Sequence, residues 1–333
     1  MSIKTKQNLF IPIIWFCCFF LLLNGTSLAG EKPVTLVLHW VPQAQFAGYY
    51  VALEKGIYQK YGLDIKIKPG GPNVSVNDCV TSGNAEFGTY FLLNATKLVA
   101  QGVPLVNIAQ LSRRSALILV AKKSSGIFKP EDMNGRKIGI YQEEFSDIPL
   151  AFIKKNNLNV NIIPIATGIN IFLHGGTDVT NVMWYNEYHT ILNCGYNADE
   201  LSTFYMSDYG FNVPEDGICC LRSTYDAHPE VCERFVEATM EGWLYAFQNL
   251  SEALDIIIKE MKAVHIPANL AHQQWMLARM QDIILPDGGY KFSTLLSKET
   301  YEMTGQILLK NASIKTLSPY DQFYIPVGKY AEK

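Results

Sequence analysis

The stretch "LHWVPQAQFAGYYVALEKGIYQKYGLDI", residues 38–65, decides how the rest of the chain reads. It opens on the end of an apolar run, "VTLVLHW", which has the β-branched and aromatic content of a strand. "GYYVALEKGIYQKYG" then carries Tyr50, Leu53 and Ile57 at helical spacing, and Gly62 marks its end. "LDIKIKPGG" alternates like a second strand. Strand, helix and strand in succession predict a parallel βαβ unit. In open α/β sheets the ligand crevice lies beyond the carboxyl ends of the strands. Trp40, Gln43, Phe46 and Tyr49 fall at such an end, which makes them candidates for one wall of a pocket for a flat molecule. Tyr50 belongs to the core stripe.

The pattern recurs downstream. "AEFGTY" and "LVNIAQL" read as strands flanking the helix "FLLNATKLVAQG", and "SALILVAKK" is a long apolar strand after which a new α/β series begins. "RKIGIYQ", "NVNIIPI" and "VTNVMWY" are its strands, "GICCLRST" leads back, and the remainder is mostly helical. This organisation predicts two α/β lobes with mixed sheets, joined by strands near 117–122 and 213–220. Lobe I takes residues 31–116 and 218–333, and lobe II takes 117–217 with the hinge segments.

Residues 1–30 stand apart. Lys4 and Lys6 precede the apolar run "LFIPIIWFCCFFLLL", and the small residues up to Ala29 resemble a secretory cleavage site, so export to the periplasm is expected. Across the chain 28 basic face 31 acidic residues, a net charge of −3, and loss of the leader takes this to about −5. No basic stripe is present, which excludes nucleic acid as a partner. Of seven cysteines, five lie beyond the leader: Cys79, Cys194, Cys219, Cys220 and Cys232. They lack metal-ligand spacing, and buried small hydrophobes are the reading adopted, with any pairing left open. The six histidines show no ligand spacing either, so no metal site is expected.

"LHWVPQAQFAGYYVALEKGIYQKYGLDI", "SGNAEFGTY", "MNGRKIGIY" and "VMWYNEY" together resemble the periplasmic solute-binding proteins that serve thiamine pyrimidine precursors, sulfonates and related compounds. The resemblance implies a type II periplasmic binding fold, a monomer, and delivery of a small molecule to an ABC transporter permease in the inner membrane. One branch of that family is a pyrimidine synthase using pyridoxal phosphate, its own histidine and a cysteine-rich iron site. Here "YGFNVPEDGICC" lacks the cysteine cluster and Asn94 stands where the histidine is expected. Neither catalysis nor a cofactor is therefore expected.

Further site candidates follow from chemistry at strand ends. Trp184, Tyr185, Asn186 and Glu187 would form the opposing wall, with Glu187 accepting from an exocyclic amine or capping a helix. Thr89 and Tyr90 follow a short strand, Ser112 sits by the first link, Gln142 and Glu143 follow another strand, and Asp216 opens the returning one. Acids at 143, 144 and 147 are a poor environment for an anion. The expected function is capture of a planar nitrogen heterocycle, most specifically a thiamine pyrimidine precursor. The alternative is a sensory module that signals to a membrane kinase or cyclase.

Overall fold

The computed structural model describes residues 33–142, 145–166, 168–286 and 291–331. The expected leader and the Glu143 candidate lie outside the described residues. Among the described residues ten strands form in chain order: β1 (Val34–Val37), β2 (Ile65–Lys68), β3 (Phe87–Phe91), β4 (Leu105–Gln110), β5 (Leu117–Lys122), β6 (Lys137–Tyr141), β7 (Asn161–Ile165), β8 (Val179–Met183), β9 (Leu201–Tyr205) and β10 (Asp216–Leu221). They make two five-stranded sheets, ordered β2-β1-β3-β10-β4 and β7-β6-β8-β5-β9.

Both sheets follow one plan. Three strands run parallel, with Val34 opposite Ile65 and Leu36 opposite Phe87 in the first sheet, and Lys137 opposite Asn161 and Ile138 opposite Val179 in the second. The fourth place goes to an antiparallel strand that has just arrived from the other half. β10 lies between β3 and β4, and β5 between β8 and β9. These strands are almost wholly buried, which explains their near-continuous apolar sequences. The passages between sheets are made just before them, by residues 111–116 and by the run after Tyr205. The links anticipated on 117–122 and 213–220 are mostly sheet.

The helix anticipated from Gly48 to Gly62 is two. Ala47–Glu54 ends, Gly56 takes a left-handed φ of 66°, and Ile57–Lys60 resumes. Ala47–Glu54 packs on the long helix Pro229–Gln248 at two glycines: a Cβ on Gly48 would meet the Trp243 ring at 2.3 Å, and one on Gly242 the Gly48 carbonyl at 2.3 Å. Only a residue without a side chain lets these backbones approach so closely. Tyr49 packs edge-on to Trp243 beside that crossing. Four of the five cysteines are buried free thiols and Cys194 is exposed. A helix begins at Leu270, where the Asn269 side chain accepts the His272 amide at 3.0 Å.

Candidate functional site

Between the two sheets lies a cleft of about 620 Å³ including its open mouth, within the range of small-molecule sites. Its first wall grows from β1 and β3. Beyond β1, His39 and Trp40 turn into the cleft, followed by Gln43 and Gln45. Side chains alternate along β3, so Thr89 and Phe91 share the His39 side while Tyr90 points away. Thr89 Oγ accepts the His39 backbone amide at 2.9 Å and lies 2.8 Å from His39 Nδ1. Phe91 packs against the imidazole, centroids 4.7 Å apart.

Hydrogen bonds set the polarity of this wall. Gln43 Nε2 donates to Gln45 Oε1 at 2.7 Å, which leaves Gln45 Nε2 as a donor. That donor serves Asp216 at 3.3 Å and His39 Nε2 at 2.9 Å. His39 Nε2 therefore accepts, and the ring proton sits on Nδ1 toward Thr89. Burial lowers the His39 pKa to about 3, so the imidazole is neutral. The amide oxygen of Gln43 remains as an acceptor at the cleft.

The second wall comes from the carboxyl ends of β6 and β8. Tyr141 ends β6 and Phe145 follows it, and both are held by the buried Asn181 of β8. Asn181 Oδ1 accepts the Tyr141 amide at 2.9 Å, and its Nδ2 donates to the Phe145 carbonyl at 3.3 Å. Phe145 sits edge-on to Phe91 with centroids 5.2 Å apart, and Tyr141 edge-on to Phe145 at 6.0 Å. An aromatic floor thus runs from His39 through Phe91 and Phe145 to Tyr141, crossing from one lobe to the other. Behind it a narrower apolar recess reaches Val213, Pro214 and Glu215.

β8 stops at Met183, so Trp184 does not continue the strand alternation. Tyr185, Asn186 and Glu187 line the cleft. Glu187 opens a short helix, and its Oε2 accepts the Met183 amide at 2.9 Å. It caps backbone and faces the cleft at once; burial raises its pKa against these hydrogen bonds. Trp184 is not part of the lining and packs edge-on against Tyr205. Its carbonyl accepts Trp275 Nε1–H at 3.2 Å, and the Arg279 guanidinium sits 4.8 Å from both indole rings, so the helix Leu270–Ile284 of the first lobe clasps the second.

Among the other sequence candidates, Phe46 and Tyr49 are core residues, each about 1% exposed, and Tyr90 is buried on the far side of β3. Ser112 is buried in the first passage, its amide bonded to the Asp216 carbonyl at 3.0 Å. Gln142 is exposed and away from the lining. Asp216 lies one layer behind, backing Gln45, and burial raises its pKa to about 7. Gln45, which shares the motif of Gln43, lines the cleft as well, and His39, Phe91, Tyr141, Phe145 and Met183 line it without having been candidates. The alternation that pairs Thr89 with Phe91 was the available signal for Phe91. Arg114 faces Asp208 and the Tyr205 ring, and Arg113 is exposed.

Known proteins share this architecture across different functions. The periplasmic aliphatic sulphonate binding protein SsuA of Escherichia coli superposes with a TM-score of 0.69 over 91% of this chain and 95% of its own, at 13% identity. The fold is therefore that of the periplasmic binding proteins. The riboflavin-binding protein RibY of Chloroflexus aurantiacus is 23% identical over 90% of this chain and 88% of its own. The 4-amino-5-hydroxymethyl-2-methylpyrimidine phosphate synthase of Legionella pneumophila is 23% identical over 71% of this chain and 76% of its own. Residues 43–253, well over half of the chain, match the NMT1/THI5-like family model, and the chain belongs to that family.

Proposed function

We propose that this protein captures an uncharged or cationic planar nitrogen heterocycle in the periplasm and hands it to an ABC transporter permease of the inner membrane. A thiamine pyrimidine precursor is the preferred ligand. The observation that carries this reading is the chemistry of the cleft. It has an aromatic floor, the amides of Gln43, Gln45 and Asn186, a neutral His39 and the Glu187 carboxylate, with no lysine or arginine among the described residues that line it. Aromatic faces take a ring, amides read its donors and acceptors, and a carboxylate suits an exocyclic amine.

A sulfonate or phosphate would meet a carboxylate and no cation, which is unfavourable in a site removed from bulk water. The same lining does not fit pyridoxal phosphate, whose phosphate calls for cationic or backbone amide partners. This supports binding without catalysis. Riboflavin, the ligand in the name of one relative, is also planar and nitrogen-rich, and it is the competing ligand. Closure of the lobes about residues 111–116 and 211–215 would bury the ring.

The test is titration of ligand-stripped protein with the hydroxymethyl and formylamino thiamine pyrimidines, riboflavin and an alkanesulfonate. Tryptophan fluorescence and melting temperature are followed. Saturable quenching with a raised melting temperature for a pyrimidine supports the reading. A response to riboflavin alone changes the ligand, and a response to the sulfonate alone overturns the proposal.

A further inference from the structure

We infer that His272 is a positioning residue for the cleft carboxylate Glu187, acting from the opposite lobe through Asn186; the inference rests on the binding role proposed above. Both oxygens of Glu187 are engaged, Oε2 by the Met183 amide at 2.9 Å and Oε1 by Asn186 Nδ2 at 2.9 Å. The second bond orients the amide. With Nδ2 spent on Glu187, Asn186 Oδ1 must accept, and His272 Nε2 stands 3.0 Å from it. His272 Nε2 therefore carries a proton.

Asn186 and Glu187 belong to the second lobe, beyond β8. His272 lies in the first turn of the helix Leu270–Ile284, which is fixed to the first lobe where the Ala44 amide bonds Gln273 Oε1 at 2.7 Å. A neutral imidazole protonated at Nε2 has a bare Nδ1; His189 Nδ1 lies 2.9 Å from it, and Asn193 Nδ2 lies 3.2 Å from that same His189 nitrogen. His189 also stacks on Trp275, centroids 4.8 Å apart. The titratable and charged neighbours of His272 are His189 and, through Asn186, Glu187 from the second lobe. On its own helix they are Arg279 and the Asp282 that pairs with it. Burial lowers the pKa of both imidazoles, and His272 is lowered further by its partner's charge. Both are therefore neutral at neutral pH.

The consequence is a link between closure and affinity that needs no contact between His272 and the ligand. With the lobes together, His272 holds Asn186 and Asn186 holds the carboxylate in the orientation that an incoming N–H meets. Without the His272 bond, the amide is free to rotate and Glu187 loses a directed donor.

Two variants separate this role from packing. H272Q keeps an N–H near the Nε2 position, whereas H272N reaches only toward His189. In the full chain, with the hydroxymethyl thiamine pyrimidine as probe, H272Q should stay within about twofold of wild-type affinity. H272N should weaken it about tenfold, the size of one hydrogen bond to a charged group. In ligand-free protein the Glu187 carboxyl titration, followed by carbon NMR, should move upward in H272N and not in H272Q, because the ionised form loses a donor. Equal Glu187 midpoints in H272N and wild type overturn the inference. If the wild type binds no pyrimidine, the ligand assignment falls, while the Glu187 midpoints still decide the role of His272.

Discussion

The carboxyl group of Glu215 accepts the Ser115 hydroxyl at 2.8 Å and the Ala116 amide at 3.0 Å. Ser115 and Ala116 end the first passage between the sheets and Glu215 ends the second, so one buried side chain ties both. E215A should leave buried donors unmet and cost about 1–3 kcal/mol. E215Q, which keeps an acceptor, should cost less. Urea midpoints of the two variants check the order, and equal loss in both would count against the tie.

The same region gives stability a pH slope. Burial raises Glu215 from 4.5 to about 8 and Asp216 from 3.8 to about 7. An acid whose folded pKa lies above its unfolded value binds its proton more tightly in the folded protein. Its favourable contribution is complete below the unfolded pKa and declines as pH rises through the folded one. The melting temperature should therefore fall between about pH 5 and pH 8.5, and E215Q/D216N should flatten that fall. His39 acts in the opposite sense. Its pKa drops from 6.5 to about 3, so stability is lost as pH falls below about 6.5. A wild-type melting temperature that rises from pH 5 to pH 8.5 would contradict the dominance of the two acids.

Trp40 and Tyr49, close in sequence, should fail in different ways. Trp40 is half-buried at the cleft, whereas Tyr49 is core. W40A should weaken ligand binding about tenfold or more with a small change in melting temperature. Y49A should cost about 3–5 kcal/mol of stability. Fluorescence titration beside thermal unfolding separates them. Loss of stability without loss of affinity in W40A would remove Trp40 from the site.

Gly48 offers a steric test. An added methyl would sit 2.3 Å from the Trp243 ring. G48A should destabilise the fold by about 1–3 kcal/mol despite the better helix propensity of alanine. A stability equal to wild type would mean that the helix crossing yields.

The strands were legible because they are short apolar runs bounded by glycine, proline or polar turns. Tyr185, Asn186 and Glu187 were legible because such residues at a strand end are costly without a task. Phe46 and Tyr49 misled. They continue the same motif as Trp40, but the helix rotates Phe46 and Tyr49 inward, and Gly48 signals that close packing rather than a ligand. Phe91 and Phe145 each look like core in one dimension. Their exposure to the cleft arises only when two lobes face one another. His272 has no local signal at all, since its partner Asn186 is distant in the chain and belongs to the other sheet.

The arrangement of strands also dictates an order of assembly. β5 to β9 are consecutive in the chain, so the second sheet has every member once Tyr205 is available. The first sheet waits. Among the described strands β4 pairs with β10, and β10 follows the whole second lobe. A chain emerging amino end first therefore completes its inserted half first and its enclosing half last. Until Leu221 arrives, β3 and β4 present open edges, the feature of a nascent sheet most prone to pairing with other chains. The cleft is thus the last thing this protein makes, and a chain cut short before Asp216 would have one finished lobe and no binding site.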